Sequence, residues 1–228
     1  MFSLIIPTMW KISEFVDQLT NMDQCSLIDE ILLINNDINS TPISFNIANY
    51  SKIIEIKPPS NMFVNPSWNL GVRMAKCNKV LIGSDDTFFH NWEEVLTKVA
   101  EELDKEDCII GLDLNHDVIT KSDLKINTTN ESSCIDFIEI DKRGWGWGCA
   151  IFANKNSYVP INKQLLIWYG DDYISETYKR RGLKIKKMTG AKITGYVSKT
   201  VNHINHLIEL KHKDENLWNS NKELLFSI

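Results

Sequence analysis

A short apolar run at residues 80–82 ends on Ser84, Asp85 and Asp86. Such a run is typical of a strand that is buried on both faces of a parallel sheet. Residues 65–75, just before it, have the spacing of a short helix. Ligands of open α/β sheets bind outside the carboxyl ends of the strands, and carboxylates there suit Mg²⁺ or Mn²⁺. The two acids are therefore candidate metal ligands, and an ordinary polar turn is the alternative.

Similar apolar runs recur along the chain and alternate with segments of helical spacing. The predicted strands cover residues 2–6, 30–34, 53–56, 80–82, 108–112, 135–140 and 183–188. The predicted helices cover residues 11–22, 65–75, 91–103 and 171–181, with an amphipathic tail from residue 207. Helix-length crossovers between strands predict an α/β fold with a Rossmann-like, mostly parallel central sheet flanked by helices.

Some of these elements carry more specific expectations. Pro7 should end the first strand, because proline has no N–H to donate to a central ladder. The helix at residues 91–103 should have a solvated face, which consists of Glu93, Glu94, Glu101 and Glu102. The polar segment at residues 113–133 is expected to be a loop or a lid.

The composition is that of an ordinary globular protein, and the length of 228 residues suits one domain. The net charge of −5 argues against a protein that coats nucleic acid. The five cysteines are scattered without a C-x-x-C pair, which argues against a disulfide framework and a zinc site. We therefore expect a reducing, cytoplasmic location. No apolar run approaches the length of a membrane span.

A second pair of adjacent acids, Asp171 and Asp172, follows Gly170 at the start of a predicted helix. An N-cap role, which is worth about 1 kcal/mol, accounts for one of these acids. It explains the other less well, so the pair is also a candidate for general-base chemistry.

Two tryptophans, Trp145 and Trp147, alternate with glycines near the middle of the chain. Flat indole faces beside flexible backbone can stack on the apolar face of a sugar ring. The alternative is that both side chains pack in the core, since tryptophan is heavily buried on average.

The basic cluster consists of Arg180, Arg181, Lys184, Lys186 and Lys187. Its lysines alternate along a predicted strand and are expected to point outward at a solvated sheet edge, where charge discourages further pairing. Contact with an anionic acceptor, including nucleic acid, is the alternative.

The order of these motifs resembles the family 2-like glycosyltransferases of the GT-A fold. The matching stretches are residues 3–8, 30–37, 84–86 and 170–172, together with Asn69, Gly71 and Ala75. The resemblance covers about residues 1–200. It implies one GT-A domain over residues 1–228. Within it, a nucleotide-sugar-binding half would cover about residues 1–112, an acceptor and catalytic half about 134–206, and a helical tail 207–228.

The resemblance also implies roles for particular residues. The donor pocket would include Pro7, Thr8, Asn36, Asp37, Asn69, Ser84 and Asp85. Asp86 would hold Mn²⁺ or Mg²⁺ together with a late histidine, His203 or in reserve His206. Asp172 would be the general base with Asp171 as its helper, in place of the Glu-Asp pair of the family. Trp145 or Trp147 would form an acceptor wall.

The implied function is metal-dependent transfer of a hexosyl or pentosyl group from a nucleotide-diphosphate sugar, with a UDP-sugar favoured, to an acceptor hydroxyl with inversion. The acceptor would be a glycan or a protein-linked glycan. A phage-type enzyme that modifies a hydroxymethylated DNA base, in the host cytoplasm, is the alternative within this class.

Two readings come from other classes of protein. A nucleotidyltransferase should carry a basic, glycine-rich phosphate loop near the N-terminus, and residues 7–10 do not form one. A non-catalytic carbohydrate-binding protein would explain the tryptophans and leave both acidic pairs without a role.

Overall fold

The computed structural model describes residues 1–112, 125–127, 134–144, 146–196 and 205–226. The strands are β1 (Phe2–Thr8), β2 (Ile28–Asn35), β3 (Ile53–Ile56), β4 (Lys79–Gly83), β5 (Thr87–Phe89), β6 (Cys108–Leu112), β7 (Lys125–Asn127), β8 (Asp136–Glu139), β9 (Ala150–Asn154), β10 (Lys184–Thr189) and β11 (Ile193–Tyr196). The helices are α1 (Phe15–Gln24), α2 (Val64–Met74), α3 (Trp92–Lys105), α4 (Gly170–Arg180) and α5 (Asn205–Leu225). The seven predicted strands and the predicted helices occur in the expected order, whereas β5, β7, β9 and β11 were not predicted from the apolar runs.

The central sheet has eight strands in the order β3-β2-β1-β4-β9-β6-β10-β8. The strands from β3 to β4 pair in parallel, and so do β6 and β10. Strand β9 is antiparallel to both of its neighbours, and β8 is an antiparallel edge strand. A small antiparallel sheet, β5-β11-β7, lies beside the main one. The predicted α/β fold with a mostly parallel central sheet flanked by helices is confirmed.

Helices pack on both faces of the sheet, as the continuous apolar strands require. In β1, Leu4 and Ile6 pack in one buried cluster with α1 and α3. Ile5, which points to the opposite face, packs in the other cluster with α2 and α4. Leu225 at the end of α5 is buried in this second cluster. The tail therefore folds back on the domain, as its amphipathic pattern predicts.

The expectation that Pro7 ends the first strand is wrong. Strand β1 continues to Thr8, and Pro7 lies opposite Ile34 of β2. The backbone oxygen of Thr8 faces β2, where it accepts from the N–H of Asn36. Because neighbouring residues of a strand point their amides to opposite sides, Pro7 faces β4, whose pairing with β1 ends earlier, at Ile5. No N–H is needed there, so the proline is tolerated.

The expectation of outward-pointing lysines at a sheet edge is also wrong. Strand β10 lies inside the sheet between β6 and β8. Lys186 is buried, and its ammonium group pairs with the carboxylates of Glu102 and Glu106. Glu102, which the helical pattern placed in water, is buried by the same contact. A buried charge is tolerated only when it is paired in this way, and periodicity alone does not reveal the partner.

The predicted loop or lid at residues 113–133 lies largely outside the described residues, apart from β7. Among the helices that the structure describes, none combines the length and the apolar character that a membrane span requires.

Candidate active site

A cavity of about 130 Å³ opens at the carboxyl edge of β1, β2 and β4. Three parallel strands end there together, so their following loops meet. The walls come from the loops after these strands, from the start of α2, and from the segments before α4 and at the start of α5. The lining residues are Pro7, Thr8, Met9, Asn36, Asn61, Phe63, Val64, Ser84, Asp85, Asp86, Ile167 and Leu207. Five of the predicted donor residues and the predicted metal ligand Asp86 are thus brought together.

Asp85 and Asp86 are held by short local hydrogen bonds. The hydroxyl of Thr8 donates to Oδ2 of Asp85 over 2.6 Å, which ties the end of β1 to the end of β4. The hydroxyl of Ser84 donates to Oδ1 of Asp86, and Thr87 contacts the same oxygen at 3.4 Å. These bonds orient both carboxylates toward one edge of the sheet.

Neither Asp85 nor Asp86 has a cationic partner among the described residues, and the pKa of each carboxyl is raised. Burial, reinforced by the charge of Asp86, raises the pKa of Asp85 to about 7. Burial also raises the pKa of Asp86, although the hydroxyls of Ser84 and Thr87 oppose the shift. Two partly buried carboxylates without a countercharge favour a cation between or beside them.

The donor set suits Mg²⁺ or Mn²⁺, which are commonly held by one or two carboxylates plus the phosphates of a substrate. Within the described part of the chain, no three acidic, histidine or cysteine side chains converge into a complete metal site. His203 lies outside the described residues. His206 is exposed in the first turn of α5, next to the cavity residue Leu207.

Two of the predicted donor residues do not line the cavity. The amide of Asn69 donates to the carbonyl of Ile161 and accepts from Tyr158 and Ile161, so it ties α2 to the segment after β9. Its predicted contact with the donor is therefore wrong. Asp37 accepts from Ser40 over 2.6 Å and pairs with Lys11 over 3.2 Å. It belongs to the loop beyond Asn36.

The side chain of Asn36, which does line the cavity, is used to fix the cavity wall. Its amide nitrogen donates to Ser67 Oγ over 3.1 Å, and its oxygen accepts from the N–H of Met62 over 3.1 Å. Asn36 therefore connects the end of β2 to the start of α2.

The second acid pair lies in the first turn of α4. The N-cap of this helix is Tyr169, in the left-handed conformation and without a side-chain capping bond. Neither acid is the N-cap, so the helix-capping interpretation is wrong. Burial raises the pKa of Asp171, the nearby Arg143 opposes the shift, and the charge of Asp172 adds to it.

Arg143 is the site residue that the sequence reasoning missed. Its Nη1 lies 3.1 Å from Oδ2 of Asp171, and its Nη2 bonds Oδ2 of Asp172. No motif marks this arginine, because it is far along the chain from the acids and lies on a different segment. The available signal was the predicted pair of adjacent acids, Asp171 and Asp172, because two neighbouring carboxylates favour a nearby cation.

The segment between Arg143 and β9 connects the two acid pairs. Gly148 packs directly against the carboxylate of Asp171, so a Cβ there would lie 2.6 Å from Oδ2. Its neighbour Cys149 accepts hydrogen bonds from Ser84 on the other side. Burial raises the pKa of the Cys149 thiol to about 12, and Asp86 and Asp171 both reinforce this. The segment Gly148–Cys149 thus contacts Asp171 of the second acid pair and Ser84, which precedes the first pair.

The predicted acceptor wall is wrong at Trp147. The side chain is fully buried, and its indole N–H donates to the carbonyl of Lys186 over 3.0 Å. It lies against Gly111, where a Cβ would come within 2.4 Å of the indole ring. Trp147 is therefore a core residue, whereas Trp145 lies outside the described residues.

An exposed tryptophan occurs instead just before α4. The Trp168 side chain is 38% exposed, and Lys211 Nζ lies 4.2 Å from its ring centroid. The backbone on either side is held firmly. The buried carboxylate of Asp214 accepts from three consecutive N–H groups, and Asn65 donates to the Trp168 carbonyl.

Among the residues that the structure describes, three non-glycine residues have positive φ, and all three occur on segments of this site. Trp10 follows the cavity residue Met9, Phe63 lines the cavity itself, and Tyr169 directly precedes α4. Such conformations cost about 1–3 kcal/mol each and persist at functional sites where the surroundings enforce them.

Comparison with known proteins shows which solved structures have a fold similar to that of this chain. No protein-family model and no curated protein sequence matches the chain. Residues 1–349 of S. aureus TarS in complex with UDP have a TM-score of 0.58 at 13% identity, covering 97% of this chain and 73% of that chain. The complex of the same fragment with UDP-GlcNAc has a TM-score of 0.57 at 13% identity, covering 96% of this chain and 67% of that one.

A third structure, described as that of S. aureus TarS, has a TM-score of 0.58 at 14% identity, covering 96% of this chain and 44% of that chain. At this level of identity the likeness concerns architecture alone. The chain therefore has an α/β, GT-A-like fold, with a mostly parallel central sheet flanked by helices.

Proposed function

We propose that this protein transfers a sugar from a nucleotide-diphosphate sugar to an acceptor hydroxyl. The proposal is carried by one observation: Asp85 and Asp86 line a cavity formed by strand ends, and the segment Gly148–Cys149 links this edge of the sheet to a second pair of adjacent acids, Asp171 and Asp172. A sugar transferase needs one acidic group for the metal that binds the diphosphate and another to take the acceptor proton. The GT-A-like fold supports the same conclusion.

The donor nucleotide would occupy the cavity after β1 and β2. Pro7, Thr8, Asn36, Ser84 and Asp85 line it, and Asp85 would lie near the diphosphate. The half of the chain up to about residue 112 would thus bind the donor, and the half from about 134 would bind the acceptor. A UDP-sugar is favoured, since TarS of similar fold has been crystallised with UDP and UDP-GlcNAc.

Asp86 would hold Mn²⁺ or Mg²⁺, with Asp85 beside it and a histidine of the late segment, His203 or His206, as a further ligand. When bound, the cation offsets the negative charge that develops on the leaving diphosphate. Thr8 and Ser84 orient the two carboxylates by hydrogen bonds, so the ligands are fixed before the donor arrives.

Asp172 would act as the general base and Asp171 as its helper. Asp172 takes the proton of the acceptor hydroxyl while the hydroxyl oxygen forms a bond to C1 of the sugar. The bond from C1 to the diphosphate breaks on the opposite face, and its electron pair leaves with the diphosphate. The anomeric centre is therefore inverted.

A glycan or a protein-linked glycan is favoured as acceptor over a modified DNA base. The basic cluster, which would meet DNA, is largely neutralised by acids. Arg180 pairs with Glu176 and Glu223, and Lys186 is buried among glutamates. The net charge of −5 also disfavours DNA, whose binding depends on cations that neutralise phosphates. A phage-type DNA-modifying enzyme is therefore the weaker alternative.

Product analysis tests this proposal. The protein is incubated with Mn²⁺ and UDP-, GDP-, CDP- or TDP-sugars, with water or added glycans as acceptor. A glycosyltransferase releases the nucleoside diphosphate from this mixture, whereas a nucleotidyltransferase releases pyrophosphate from a parallel mixture of nucleoside triphosphate and sugar 1-phosphate, and a binding protein releases neither.

The acid variants Asp86→Asn and Asp172→Asn serve in the same assay. Each is expected to lose about a hundredfold or more in turnover, which is the typical contribution of a general base or a metal ligand. Lys213→Ala, an exposed change on α5, is the control for handling and folding. Full activity in folded acid variants would overturn the proposal.

A further inference from the structure

Arg143 is the cation that faces the acid pair of α4. Its guanidinium is 25% exposed and reaches both carboxylates, each 19% exposed. Nη1 also donates to the carbonyl oxygen of Gly144 over 3.3 Å, and this bond helps to fix the Arg143 side chain. The arginine thus lies between the segment leading to Cys149 and the first turn of α4.

We propose that Arg143 positions the general base. This inference rests on the proposed function, because it assigns a role to Arg143 through Asp172. The guanidinium holds Oδ2 of Asp172, and Oδ1 accepts no hydrogen bond from the described residues. Oδ1 is therefore the oxygen that receives the acceptor proton, while Arg143 stays protonated throughout.

The geometry also explains why two acids are needed. A single guanidinium that bonds two carboxylates orients both, since its fork of N–H groups is planar and rigid. Asp171 is packed against Gly148 and sets the position of the fork, and the fork in turn orients Asp172. Asp171 would therefore help the base through Arg143.

A purely structural ion pair does not account well for this arrangement. Nε of Arg143 is buried and has no hydrogen-bond partner among the described residues. Burying an unpaired donor disfavours folding, so the position of the guanidinium is maintained at a cost to the fold. Such costs are typical of functional sites.

The experiment compares Arg143→Met and Arg143→Lys with Arg73→Met, which removes an exposed arginine of α2. Release of the nucleoside diphosphate is measured with the donor found active for the wild type, over a range of pH. Arg143→Met should lower kcat about a hundredfold with a donor KM within about threefold of wild type. Arg143→Lys keeps the charge and loses the fork, so it should recover part of kcat.

The pH profile separates positioning from structure. Arg143 opposes the rise in the pKa of Asp171 that burial causes, so removing the cation should raise that pKa further and move the acid limb of kcat upward. The charged and titratable groups around the pair are Asp171, Asp172, Tyr169, Cys149 and, near Tyr169, Glu215. A titration of ¹³C-labelled aspartates should show the same upward shift without turnover.

The outcomes distinguish this inference from the proposed function. A wild-type protein that releases no nucleoside diphosphate from any donor overturns the function. An active wild type whose Arg143→Met variant keeps kcat and its pH profile overturns the role of Arg143 alone. A raised donor KM at unchanged kcat also overturns it, because the arginine would then bind the donor. An unshifted aspartate titration in folded Arg143→Met does so independently of activity.

Discussion

At the residue scale, the acids of the site differ in their countercharges. Asp171 and Asp172 share Arg143, whereas Asp85 and Asp86 have only hydroxyl donors and backbone around them in the described residues. The first arrangement pairs and orients the acids through one guanidinium, and the second leaves acids that gain from a divalent cation.

The raised pKa of Asp85 predicts a pH effect on stability. The folded protein binds a proton at Asp85 up to about pH 7, whereas in the unfolded chain the carboxyl has its ordinary pKa of 3.8 and releases the proton there. The stabilisation is complete below pH 4 and is lost as pH rises toward about 7. We expect the metal-free protein to lose at least about 1.4 kcal/mol over this window, the equivalent of one pKa unit.

Urea unfolding at a series of pH values measures this loss. Asp85→Asn should flatten the profile, and excess Mn²⁺ should restore stability at pH 7. A wild-type stability that falls between pH 4 and 7 by no more than that of the variant would show that Asp85 is not the cause.

A second prediction at this scale concerns the buried Trp147. Gly111→Ala would place a methyl group 2.4 Å from the indole ring. Because a core without space must then shift, the free energy of unfolding should fall by about 1–3 kcal/mol. Gly83→Ala is the matched control, since its Cβ would meet its nearest neighbour at an ordinary 3.6 Å. Equal stability of the two variants would argue against the close packing of Trp147.

At the element scale, α5 holds the segment that leads into the acid pair. The carboxylate of Asp214 is fully buried and accepts from the N–H groups of Leu166, Ile167 and Trp168. Ile167 lines the cavity, and Tyr169 of the same segment stacks on Trp218 of α5. The tail therefore shapes both the donor cavity and the start of α4.

Asp214→Ala should destabilise the protein by about 3 kcal/mol or more, because three buried N–H groups lose a charged acceptor. It should also lower turnover, since the segment before Asp171 is released. Guanidinium unfolding and nucleotide release measure the two effects, with the exposed Lys213→Ala as control. Stability close to wild type would mean that the N–H groups find other partners.

Much of this element-scale structure is predictable from local pattern. The strands are short apolar runs because both faces of the sheet are covered, and that signal needs only neighbouring residues. The contacts of Trp147, Lys186 and Asn69 were not predictable in the same way. Each is fixed by a partner far along the chain, and the same residue type is compatible with an exposed or a buried position.

At the scale of the whole molecule, the sheet brings together groups from distant parts of the chain. The acids at the end of β4 lie beside the loops after β1 and β2 because parallel strands end at one edge. This general rule predicted Asp85 and Asp86 as ligands at such an edge, and the resemblance to GT-A glycosyltransferases added Thr8 and Asn36 to the same site. Arg143 was not predictable, because its position depends on how the segment before β9 crosses to α4.

The most direct test of the central claim is a thermal-shift titration with UDP, GDP, CDP and TDP, each with and without Mn²⁺. A ligand that binds only the folded state stabilises it by about 2.7 kcal/mol at a hundredfold excess over Kd. We predict that one nucleotide, UDP in first place, raises Tm strongly, that the shift requires Mn²⁺, and that Asp86→Asn abolishes it. If no nucleotide raises Tm, or if the shift is the same without metal and in Asp86→Asn, the account of this site as a metal-dependent sugar transferase is contradicted.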